Sequence, residues 1–98
     1  MSNVVMLMSF RLGEGVSEAD FLAASDKVQG EYLCKCKGYI SRKLFVSDGV
    51  WTDFLIWESM ADAERAMGES EKNASVMEFL SLIGEPVQHI IVPIERSY

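Results

Sequence analysis

The chain predicts an α+β domain with the order β-α-β-β-α-(α)-β and one four-stranded antiparallel sheet. Three observations carry this. The apolar runs 39–46 and 50–58 flank Ser47-Asp48-Gly49, and Asp-Gly between two such runs is the strongest short-range hairpin signal. The segments VSEADF (Val16 to Phe21) and ESMADA (Glu58 to Ala63) share an S-x-A-D core, each at the end of a strand-like run. The chain has 98 residues, which is room for a single domain, 1–98. The echo between the two strand–helix units is the ferredoxin-like arrangement.

The first strand is expected from Asn3 to Leu12, where β-friendly residues alternate weakly until Gly13 and Gly15 break the run. Ser17 then caps a helix, accepting from the amide of Asp20, with Glu18 and Asp20 at the positive end of its dipole. Phe21, Ala24, Val28 and Tyr32 continue at helical spacing, so the first helix is expected over 17–33. The hairpin occupies 39–58; a two-residue and a three-residue loop both fit, and the choice decides which side chains share a face. Ser59 and Asp62 repeat the cap, and Ala63, Ala66, Met67 and Ser70 form the face of a second helix that Gly68 weakens near its end. Ser75 to Glu78 has capping-box form and predicts a third, short helix through Leu80 to Ile83, closed by Gly84 and Pro86. The last strand is expected over 87–95, with Pro93 marking an edge or a bulge. Both helices cover one face of such a sheet. If the other face is apolar, a second copy should cover it.

A hydrophobic fraction of 49% is high for so short a chain and points to an oligomer interface or a ligand cavity. The net charge of −6, with Lys35, Lys37, Arg42 and Lys43 scattered, argues against nucleic acid. No stretch approaches the ~20 apolar residues of a membrane span. The N-terminus lacks the basic region of a signal peptide, and a cytoplasmic setting is expected. Cys34 and Cys36, one residue apart, are expected as free thiols. With one histidine besides, no metal site is expected.

The stretch from Lys37 to Met67 resembles the antibiotic-biosynthesis-monooxygenase-like family of dimeric α/β barrels. Gly38-Tyr39 matches a Gly-aromatic pair that opens the second strand, and Trp57-Glu58-Ser59 matches the junction that closes the third. The resemblance implies a homodimer, with two sheets packed face to face and a pocket in each protomer between sheet and helices. It also implies a cofactor-independent monooxygenase, or a related small-molecule enzyme, acting on an apolar or aromatic substrate. The alternative is a non-enzymatic dimeric barrel that binds a small ligand or serves as an interaction module. The haem-degrading branch is set aside: its helix tryptophan and its histidine fall at Ala66 and near Val76, and the first strand offers only Ser9 where an asparagine is used. The phenol-oxidising branch uses Asn, Trp, Tyr and Arg around its pocket, of which this chain supplies the Trp and the Arg.

Trp51, Asp53, Leu55 and Trp57 alternate and share one face of the third strand. A carboxylate between two indoles suits a pocket wall that stacks on a flat ligand. Equally, Trp57 fills the core and Asp53 pairs with Arg42 or Lys43. Arg42 is the candidate contact for an anionic group, or else that internal partner. His89 is the candidate catalytic base, because oxygenation without a cofactor needs a group to make a phenolate or enolate and imidazole titrates near neutrality. A hydrogen-bonded strand histidine near the dimer seam is its plainer role.

Overall fold

The strand and helix signals resolve, in a computed structural model that describes residues 2–98, into eight elements. They are β1 (Val4–Leu12), α1 (Glu18–Glu31), a 3-10 turn (Leu33–Lys35), β2 (Tyr39–Ser47), β3 (Val50–Trp57), α2 (Met60–Ser70), α3 (Ala74–Ser81) and β4 (Ile83–Pro93). The sheet is antiparallel with strand order β2-β3-β1-β4, the ferredoxin-like arrangement.

The hairpin loop is two residues, Asp48-Gly49, because Ser47 pairs with Val50. Both loop residues have positive φ, 52° and 76°, the backbone that a right-twisted two-residue hairpin requires. This register puts Arg42, Leu44 and Val46 on the same face as Trp51, Asp53 and Leu55. An irregularity between Tyr39 and Ser41 returns Tyr39 to that face, where its ring meets Trp57 edge-on at 6.0 Å.

The inward face carries the core. Phe10, Phe21, Trp51 and Phe79 form an aromatic cluster with ring centroids 4.9 Å apart for Phe21–Trp51 and 5.1 Å for Phe21–Phe79. The opposite face is apolar but incompletely covered. Phe54 and Ile56 are half-buried and Phe45 is 51% exposed. Midway across it, the hydroxyls of Ser9 and Thr52 bond to each other at 3.0 Å.

Three expectations need correction. The first helix ends at Glu31, and Cys34 and Cys36 lie in and just after the 3-10 turn that follows it. Both are free thiols, bonded to the Gly30 and Tyr32 carbonyls. The third helix is capped by Asn73, whose side chain accepts from the Val76 amide at 3.1 Å. Ser75 instead lies inside the helix and donates to Glu31. The last strand begins at Ile83, not Val87: Leu12 pairs with Ile83 and Phe10 with Pro86, so Gly84 and Pro86 fall within an irregular stretch of β4. Gly84 is required there, since a Cβ would lie 2.9 Å from the Leu12 carbonyl oxygen.

Candidate functional site

Strand alternation and register bring three sequence-separated polar groups to one space. Met8 on β1 pairs with Asp53 on one side and His89 on the other. Two strand spacings put these residues ~10 Å apart along one row of the sheet. Trp57 lies four residues on from Asp53, on the same face. Between this face and the helices is a cavity of about 310 Å³. Its sheet side is made by Met6, Met8, Asp53, Leu55, Trp57 and His89. Its helix side is made chiefly by Val28, Tyr32, Ala66, Met67 and Phe79, with Glu71 among the lining groups. The lining is apolar apart from a few convergent polar groups, the pattern of small-molecule sites.

Asp53 is held by a buried ion pair. Arg42 Nε donates to its Oδ1 at 2.8 Å and Nη2 to its Oδ2 at 3.0 Å, with both side chains under 10% exposed. Arg42 Nη1 donates to the Ser25 carbonyl at 3.2 Å, and the guanidinium lies 5.6 Å from the Phe79 ring centre. This bidentate geometry fixes the orientation of the carboxylate that faces the cavity. Trp57 is 1% exposed, and its indole N–H has no partner among the described residues. A buried donor without an acceptor is uncommon. His89 is exposed, on the edge strand at the margin of the cavity.

Asp53, Trp57 and His89 therefore converge, whereas Arg42 and Trp51 do not line the cavity. Arg42 stands behind Asp53, and Trp51 packs into the aromatic cluster. Sequence reasoning did not single out Tyr32 as a wall. The signal for Tyr32 was available: a tyrosine on the core stripe of a helix needs a partner for its hydroxyl. That partner is the carbonyl of Ala66.

A second cavity of about 250 Å³ lies outside the first, between the end of α1 and α2. Its lining is charged, with Lys35, Lys37, Arg65, Glu31, Asp62 and Glu69 around Tyr32, Cys36 and Ala66. Arg65 donates to Asp62 at 2.9 Å and Ser59 to the other oxygen at 2.9 Å; these hydrogen bonds hold the Asp62 carboxyl below its usual range. Burial pushes the Tyr32 phenol and the Cys36 thiol up, so both remain protonated donors near neutrality.

No family model and no curated protein sequence matches the chain. Solved structures do match over nearly its whole length, and they include members of the antibiotic biosynthesis monooxygenase family. It is similar to SnoaB, a cofactor-independent oxygenase from Streptomyces nogalater, with a TM-score of 0.80 at 12% identity, covering 99% of this chain and 97% of that one. It is also similar to a monooxygenase from the gene ActVA-Orf6 of Streptomyces coelicolor, solved with the ligand nanaomycin D, with a TM-score of 0.69 at 18% identity, covering 99% and 91%. A conserved protein from Methanosarcina mazei Go1 gives a TM-score of 0.68 at 10% identity, covering 99% and 95%. Likenesses at such identities establish a shared fold. No helix is long and apolar enough to cross a membrane among the described residues.

Proposed function

We propose that the chain is a cofactor-independent monooxygenase whose substrate is a compact aromatic or otherwise apolar molecule held between sheet and helices. The observation that carries this reading is the convergence of Asp53, Trp57 and His89 on one otherwise apolar cavity. The fold shared with SnoaB, described as cofactor-independent, supports it at the level of reaction class.

The reading assigns roles from chemistry. Trp57 offers its unpaired N–H to a substrate carbonyl, and Asp53, held in place by Arg42, accepts from a substrate hydroxyl. Trp51 supports this wall from within the core. His89 takes the proton that converts a phenol or enol to its anion. That anion gives one electron to O2, the radical pair collapses to a hydroperoxide, and loss of water leaves a carbonyl. A CH2 group becomes C=O while O2 supplies one oxygen atom to product and one to water, so the balance needs no external reductant. Met6, Met8 and Met67 suit the wall of such a site because thioethers adapt to flat ligands of differing outline.

The same reading takes the protein to be a homodimer in the cytoplasm. The half-buried Phe54 and Ile56 and the exposed Phe45 belong to a sheet face that a second copy would cover. The unpaired thiols accord with a reducing compartment.

Oxygen uptake on a panel of hydroxylated polycyclic aromatics tests the proposal. Wild type should turn over at least one member, and His89→Ala should lower kcat by roughly 10²–10⁴-fold. Binding without uptake across the panel would sink the enzyme reading and leave the non-enzymatic ligand-binding barrel.

A further inference from the structure

The two cavities share only Tyr32 and Ala66 among their lining residues. These are also the two residues joined by the Tyr32 Oη–Ala66 carbonyl hydrogen bond. The wall between the apolar inner space and the charged outer one therefore includes Tyr32 and Ala66, and of these it is the Tyr32 side chain that reaches from the end of α1 to α2. The backbone at Tyr32 is tied on both sides: its amide donates to the Val28 carbonyl at 3.0 Å and its carbonyl accepts from the Lys35 amide at 3.1 Å. What crosses the gap is the phenol ring. Beyond it, Lys35 and Lys37 form no ion pair among the described residues.

We propose that Tyr32 is a specificity-determining residue, its ring the partition that confines a ligand to the inner cavity and excludes one whose anionic arm would reach Lys35 and Lys37. The inference rests on the inner cavity being the ligand site. It goes further by setting the class of ligand: a compact ring system with no long substituent on the side facing α1 and α2. At about 310 Å³ the inner space lies at the low end of ligand pockets. The outer space, at about 250 Å³, is large enough to take an arm once the ring is removed.

The test compares 2-naphthol with a matched set of 2-naphthols carrying a carboxybutyl arm at each free ring position, titrated against wild type, Tyr32→Phe and Tyr32→Ala. Wild type and Tyr32→Phe should bind 2-naphthol and bind every armed probe at least ~10-fold more weakly, a difference of about 1.4 kcal/mol. Tyr32→Ala should bind at least one armed probe ~10-fold more tightly than wild type does, whatever affinity for 2-naphthol it loses with that part of the wall. Adding Lys35→Gln and Lys37→Gln should remove that gain. Tyr32→Leu serves the same purpose if the alanine variant does not fold. Where 2-naphthol binds, wild type binding an armed probe as well as the compact one, or neither small variant gaining for any armed probe, would overturn the proposal. A crystal structure of Tyr32→Ala decides it without a ligand: one continuous cavity is expected, and two separate cavities would refute the partition. If 2-naphthol binds nowhere while the cavities merge, the ligand-site reading fails and the partition stands.

Discussion

Replacing Arg42 with methionine keeps much of the side-chain volume and removes the charge. In the folded chain this strips Asp53 of two hydrogen bonds, at 2.8 and 3.0 Å, in a position where its side chain is 7% exposed. It also removes the donor at 3.2 Å from the carbonyl of Ser25, itself buried. Breaking a buried pair from one side costs about 3–5 kcal/mol, because the remaining charge keeps its desolvation penalty and loses its partner. A domain of this size has a total stability of about 5–15 kcal/mol. With an m-value of about 1–3 kcal/mol/M in urea, the midpoint should fall by at least ~1 M while m stays constant. Protein concentration must be held fixed between variants, because dimerisation would add to apparent stability. The double variant Arg42→Met/Asp53→Leu should recover most of the loss, since it leaves no unpaired charge. It should also fail to bind an aromatic probe, which separates the stability role of the pair from the role of Asp53 at the cavity. A midpoint shift under ~0.3 M for Arg42→Met would refute the reasoning. So would a double variant no more stable than the single.

Four further outcomes follow from other features. Trp57→Phe removes the unpartnered N–H together with one ring of a fully buried side chain, so urea unfolding should lose ~1–3 kcal/mol to the cavity left behind while affinity for a carbonyl-bearing aromatic falls. Asn73→Ala should cost ~1 kcal/mol as a lost helix cap; an equal cost with no loss of helix signal by circular dichroism would argue against capping. Gly38→Ala should destabilise strongly, because Gly38 has φ +85° and an added Cβ would sit 2.5 Å from the Asp62 Cβ; a variant with unchanged midpoint would contradict this packing. The Asp62 carboxyl is held low in the folded chain, so its contribution is full above the ordinary carboxyl pKa of 3.8 and fades as pH falls further. Accordingly, the stability gap between wild type and Asp62→Asn should be flat from pH 5 to 7 and shrink below about pH 4, as measured by urea unfolding at each pH.

Local signals predicted most of the architecture. Ser17 and Ser59 cap as their spacing implies, accepting from Asp20 and Asp62 at 3.1 Å each. Asp48-Gly49 turns the hairpin. The errors came where two local readings were equally good and a distant contact chose between them. Ser75 to Glu78 has capping form, yet Ser75 is drawn to Glu31, 44 residues away, and Asn73 takes the cap. Gly84 and Pro86 look like a helix stop, yet pairing to Leu12 and Phe10 carries the strand through them. The site was half legible for the same reason. That Asp53 and Trp57 share a face follows from alternation within one strand. That His89 joins them depends on the pairing of β4 with β1, which no short window contains. Arg42 was open to either role in the sequence; the two-residue loop, which fixes the hairpin register, places it behind Asp53.

The placement of His89 on an outer strand bears on how such a protein could change its chemistry. Asp53 and Trp57 sit on β3, bonded to neighbours on both sides, and Asp53 is locked to Arg42. His89 is exposed and bonded through its strand to β1 alone. Substitution at 89 should cost less than ~0.5 kcal/mol of folding energy, whereas change at 53 disturbs a buried network. If the proposed roles hold, recognition and reactivity are lodged in parts of the sheet with unequal tolerance to mutation. A randomised library at position 89 should yield mostly folded proteins, one at position 53 mostly unfolded ones. Variation in the reaction can then accumulate at the rim while the scaffold that holds the ligand stays intact.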